Sequence, residues 1–156
     1  MNNLNDQPRG GTLCLSNAGL AVGGTSTGIA IAAPNGAGVD FCIKGVSYHK
    51  ADAATAAITA ATVQAVATTC LYVIALNSSG TVSSIKGTEV LSAELTSEEE
   101  FLFYPQVDDD VCPIGAVKVV TDATHTFTAG TTAFDATGIT DTYINLFAMP
   151  VEGSSS

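Results

Sequence analysis

From residue 70 to residue 76 the chain reads Cys-Leu-Tyr-Val-Ile-Ala-Leu, and the apolar run then breaks at Asn77-Ser78-Ser79-Gly80. A run this short fits a strand covered on both faces better than a helix. Asn, Ser and Gly are turn formers, and residues 81–85 lead back, so the segment predicts a β-hairpin. A second hairpin is written a little earlier. Val39, Phe41 and Ile43 alternate with Asp40, Cys42 and Lys44, Lys44-Gly45 forms a two-residue turn, and Val46-Ser47-Tyr48-His49 resumes the alternation. Two hairpins with strand periodicity confine the chain to folds built from antiparallel strands.

The remaining segments extend that pattern. Residues 114–121 are rich in β-branched side chains and predict a strand. His125 and Phe127 alternate with Thr124, Thr126 and Thr128, and Tyr143, Asn145 and Phe147 alternate with Ile144 and Leu146, which predicts two more. The alanines of residues 51–67 favour a helix and Asp52 could cap one, but threonines interrupt the stretch, so extended structure is expected. Phe101-Leu102-Phe103-Tyr104-Pro105 reads as an edge strand stopped by proline, between solvated loops at Glu98-Glu99-Glu100 and Asp108-Asp109-Asp110. The expected fold is all-β: a compact sandwich or small barrel of short antiparallel strands. Residues 1–11 are expected to form a flexible polar arm, residues 12–150 a single β domain and residues 151–156 a flexible tail.

Composition narrows the function classes. Hydrophobic residues make up 46%, yet aromatics only 6% with no Trp, so each buried position removes little area from water. Such a core leans on further burial in an oligomer interface. Net charge is −10, and Arg9, Lys44, Lys50, Lys86 and Lys118 are scattered. A nucleic-acid backbone calls for a basic cluster, so no nucleic-acid partner is expected. No apolar run approaches the ~20 residues of a membrane-spanning helix, so no membrane partner is expected either. The first residues lack the basic and apolar regions of a secretory leader, which points to synthesis in a cytoplasm. Cys14, Cys42, Cys70 and Cys112 stand singly without Cys-x-x-Cys pairing, which argues against a zinc site and for reduced, buried thiols.

Candidate chemistry is sparse. His49 and His125 are the only histidines, each in a predicted strand and each read as a partly buried structural residue. No Gly-x-Ser-x-Gly elbow accompanies them. Gly23-Gly24-Thr25-Ser26-Thr27-Gly28 lacks the ending of a phosphate-binding loop and, like Pro34-Asn35-Gly36-Ala37-Gly38, reads as a turn between strands. Consecutive aspartates at 108–110 lack the alternation of a calcium loop. No catalytic, cofactor-binding or metal-binding residue is assigned, no cofactor is expected, and the chain is not expected to be an enzyme.

Three segments together resemble a known group. Residues 39–50, the hairpin from Cys70 through Ser79-Gly80-Thr81-Val82 to Glu89, and the stretch from Pro113-Ile114-Gly115-Ala116-Val117-Lys118-Val119 to Thr140-Asp141-Thr142-Tyr143 are similar to the head decoration, or cement, proteins of tailed bacteriophages. The resemblance spans residues 39–147 and leaves the first 38 outside it. It implies a virion structural protein on the capsid exterior, with the major capsid protein as partner and a homotrimer as the usual form. No motif marks the capsid-binding residues, so none is assigned. The alternative is a phage fibre or a receptor- or glycan-binding module, although a fibre would be expected to show repeats or coiled-coil segments.

Overall fold

The structure, a computed structural model, describes residues 11–147. The expected arm, apart from Gly11, and the expected tail therefore lie outside the described residues. The chain runs through β1 (Leu13–Cys14), β2 (Leu20–Val22), β3 (Ile29–Ile31), β4 (Val39–Ile43), β5 (Val46–Lys50) and β6 (Ala53–Ala56). It continues through β7 (Thr68–Asn77), β8 (Val82–Lys86), β9 (Val90–Leu91), a short helix α1 (Ser92–Thr96), β10 (Val111–Thr121) and β11 (Ile139–Asn145). All strand pairs are antiparallel. They form three open sheets: β1-β4-β5, β2-β3-β6, and β11-β10-β7-β8 with β9 also on β7. Among the described residues none of these closes on itself, so the all-β expectation resolves to packed open sheets, a sandwich rather than a barrel.

Both predicted hairpins form. In the first, Ile43 pairs with Val46, and Lys44 and Gly45 take φ of 51° and 80°. Two consecutive left-handed residues match the twist of the flanking strands. Val39, Phe41 and Ile43 point into the core, and Phe41 stacks on Tyr48 across the pair with ring centroids 5.6 Å apart. In the second, β7 pairs with β8 around Asn77-Ser78-Ser79-Gly80, and Asn77 Oδ1 accepts the backbone N–H groups of Ser79 and Thr81.

Strand β7 is buried along both faces. Cys70, Tyr72, Ile74 and Leu76 join the main core with side chains from all three sheets. The opposite face is covered by the chain after β9. Ser92 Oγ bonds Thr69 Oγ1 at 2.9 Å, and Leu102 lies in a groove with Thr69, Lys118 and Val120. On β10 the register slips between Pro113 and Gly115, a bulge that accommodates the proline. Gly115 then faces Leu20 so closely that any Cβ would collide with that side chain and with the carbonyl of Ile144.

Two expected strands need correcting. Residues 124–128 are not a strand. Asp122 Oδ1 accepts the N–H groups of Thr124 and His125, both at 2.8 Å, which turns the chain out of the sheet, and only Phe127 returns to bridge Gln64. That loop still closes the core, through rings running Tyr72–Phe127–Phe134–Tyr143 at centroid spacings of 5.6, 5.1 and 6.2 Å. Residues 101–105 are not an edge strand either. They pass the large sheet near Gly87 without pairing to it, so no ladder is available to them. Helix α1 was not foreseen: Ala93, Glu94 and Leu95 are good helix formers, but the helix is only a few residues long. Residues 51–67 are extended or irregular, as expected, with β6 pairing β3.

Candidate functional site

Each histidine pairs with a carboxylate at the surface. His49 stands on β5 opposite Asp40 of β4, and Nδ1 lies 2.7 Å from Oδ1 with both side chains about half exposed. Ser16 is the nearest candidate nucleophile by connection, but its Oγ accepts the N–H of Asp40 and has no bond to the imidazole. His125 sits in the turn after β10, where Nδ1 lies 2.9 Å from the Asp122 carboxylate and 3.0 Å from Thr124 Oγ1. The N–H of Thr124, joined by the His125 ring, holds the Asp122 carboxyl well below the usual carboxylate range. Gly138 packs directly against this pair, where a Cβ would overlap both side chains. The cluster is a turn lock. Both histidines are exposed, not partly buried as their strand-like settings suggested, and His125 is in no strand.

The glycine-rich loop consumes its own amides. Gly23 N–H donates to the Gly28 carbonyl, Gly28 N–H to that of Thr25, and Gly24 N–H to that of Ala54. The loop joins β2 to β3, as its composition predicted. The runs Glu98-Glu99-Glu100 and Asp108-Asp109-Asp110 are exposed, and among the described residues no group of three His, Cys, Asp or Glu side chains is placed to hold a metal ion. All four thiols are free, with Cys14, Cys70 and Cys112 buried. Burial pushes Cys70 up to about 11 and Cys112 up to about 12, which favours the protonated thiols at neutral pH.

Two polar clusters were not legible in advance. Lys86 Nζ pairs with the Glu89 carboxylate and also reaches Thr62 Oγ1 at 3.2 Å and the Val63 carbonyl at 3.0 Å. Glu89 in turn accepts the N–H of Ala65 at 2.9 Å. Burial pushes this carboxyl up, but the bonds from Lys86 and Ala65 outweigh it and hold the group below its ordinary value. The second cluster centres on fully buried Gln64, which bonds Tyr72, Thr68 and Val119. Both clusters tie residues 57–67 to the large sheet, and no local motif announces a lone glutamine in an Ala/Thr-rich stretch.

The feature without an internal role is the aromatic strip. Phe101, Phe103 and Tyr104 are 64%, 71% and 50% exposed. Leu102 between them is partly buried and lines a groove with Leu95, Lys118 and Val120. The strip was visible in the sequence as an aromatic run between acidic runs, but its reading as an edge strand hid the outward direction of the rings. Among the described residues no helix is long and apolar enough to cross a membrane. Comparison of the chain with protein-family models, with curated proteins and with solved structures finds no match.

Proposed function

We propose that this chain is a virion structural protein that binds the outer surface of a phage capsid and stabilises contacts between capsomers. The observation that carries this reading is the exposed aromatic strip at Phe101, Phe103 and Tyr104 on an antiparallel frame. Large rings held in water are unfavourable at roughly 25 cal/mol per Å², and clustered ones mark contact surfaces. The polar side chains that could do chemistry are committed to turns and clips, which suits a protein that acts by holding on.

The segments that resemble decoration proteins supply the frame: residues 39–50 are β4 and β5, residues 70–89 hold most of β7 and all of β8, and residues 113–143 hold most of β10 and β11. A trimer engaging the capsid at three points would gain on the order of 10²-fold in apparent affinity from effective concentration alone. The acidic surface suits the solvent side of a capsid rather than its packaged genome.

The test compares heads of the source phage, with and without saturating protein, during heating while a dye reports genome release. Decorated heads are expected to open at a temperature several degrees higher. Saturable binding with equal opening temperatures would leave display without cementing. Absence of binding would move the search to fibres and host glycans.

A further inference from the structure

We infer that residues 101–104 are the part of this protein that enters the capsid, and that they enter an apolar cleft rimmed by lysine and arginine side chains. The inference rests on the decoration reading and names the contact that reading leaves open.

The strip lies against the large sheet. Leu102 is partly buried and lines a groove with Lys118 and Val120, and Phe103 and Pro105 pass close to Gly87, where an added Cβ would lie 2.8 Å from the Leu71 carbonyl and 3.4 Å from that of Phe103. Leu102 and Pro105 are partly buried, while Phe101, Phe103 and Tyr104 face solvent. An aromatic residue buries ~150–250 Å² when fully covered, and because these three are 64%, 71% and 50% exposed they supply roughly half of the ~800 Å² that each side of a standard interface contributes. That is the size of a hot-spot centre, which needs a surrounding rim.

The rim is acidic. Glu98, Glu99 and Glu100 precede the strip, Asp108, Asp109 and Asp110 follow it, and all six are exposed. Two lysines lie in the large sheet: Lys86 is paired with Glu89, and Lys118 lines the groove beside Leu102, one cation against six carboxylates. Two copies meeting strip to strip would oppose carboxylate to carboxylate, and like charges across an interface are strongly disfavoured. The complementary occupant is therefore an apolar cleft with a basic rim on a different protein, which the decoration reading identifies as the capsid.

The experiment is cosedimentation with undecorated heads of the source phage, using wild type, Phe101→Ser/Phe103→Ser, Phe103→Ser alone, and Glu98→Gln/Glu99→Gln/Glu100→Gln. All the altered side chains are exposed, and circular dichroism checks each fold; the single Phe103→Ser variant serves if the double one does not fold. Loss of two central anchors is expected to weaken binding by about 30-fold or more. The glutamine variant is expected to weaken it several-fold and to flatten its decline between about 50 mM and about 500 mM salt. Serine variants that bind like wild type would overturn the strip as the contact while decoration stood. Binding indifferent to salt and to the glutamines would overturn the basic rim. Wild type that never binds heads would overturn decoration and inference together. Self-association of wild type that Phe101→Ser/Phe103→Ser abolishes, read by analytical ultracentrifugation, would make the strip an interface between copies and overturn the inference.

Discussion

The hydroxyl of Tyr72 donates to Oε1 of Gln64 at 3.1 Å, and neither side chain reaches solvent. Gln64 Nε2 donates in turn to the carbonyls of Thr68 at 3.2 Å and Val119 at 3.1 Å, so one side chain satisfies groups on β7 and β10. Burial pushes the Tyr72 hydroxyl far up its scale, which favours its protonated, donating form. The backbone of Gln64 bridges Phe127 in both directions, at 2.7 and 3.2 Å. This residue therefore joins the Ala/Thr-rich segment, the large sheet and the loop carrying Phe127.

Gln64→Ala is expected to destabilise the fold by about 3 kcal/mol, from a cavity plus buried groups left without partners. Tyr72→Phe, which removes only a hydroxyl, is expected to cost about 1 kcal/mol. Urea unfolding of the two variants checks both. A Gln64→Ala cost no larger than that of Tyr72→Phe would show that the glutamine bonds only one partner in solution.

Gly115 and Leu20 fit each other. Gly115→Ala is expected to cost about 1–3 kcal/mol by overpacking against Leu20 and the Ile144 carbonyl. Leu20→Ala alone is expected to cost about 2–4 kcal/mol through its cavity. Because the alanine methyl would move into space that Leu20 vacates, the double variant is expected to be less destabilised than the sum, as a double-mutant cycle in denaturant would show.

Glu89 makes stability depend on acid. Its folded carboxyl lies below its ordinary value, so its contribution is fully present above the unfolded value of about 4.3 and is lost as pH falls through the folded one. Glu89→Gln is expected to lower the melting temperature at pH 6, and by progressively less as pH falls below about 4.3. The difference between wild type and variant should therefore shrink on acidification. A constant difference across that window would mean the carboxylate charge plays no part.

Lys44 holds a left-handed conformation that costs a side chain energy. Lys44→Asn is expected to stabilise the fold by about 0.5 kcal/mol, since asparagine tolerates that conformation at the first position of such a turn. The backbone N–H of Lys44, which bonds Thr12 Oγ1 at 3.1 Å, is retained. Thermal melts of the two proteins side by side give the sign directly.

What the sequence determined is local. Alternation at Val39, Phe41 and Ile43 and the Lys44-Gly45 turn dictate β4 and β5, because side chains on a strand alternate with period two and the turn selects the register. The apolar run at 70–76 demanded cover on both faces, and Asn77-Ser78-Ser79-Gly80 ended it. Antiparallel all-β architecture follows from those segments without reference to anything distant. Tertiary structure alone decided the rest, because it depends on pairings between residues far apart in the chain. Nothing near Gln64 in sequence names Val119 as its acceptor, and nothing near Gly115 names Leu20. The alternation at 124–128 looked like a strand, but the Asp122 carboxylate captured two backbone N–H groups and bent the chain first. The aromatic segment at 101–104 has strand composition, yet its neighbours in the large sheet were already paired. It was left beside that sheet with Leu102 partly buried and its rings in water, which is what makes it the candidate contact surface.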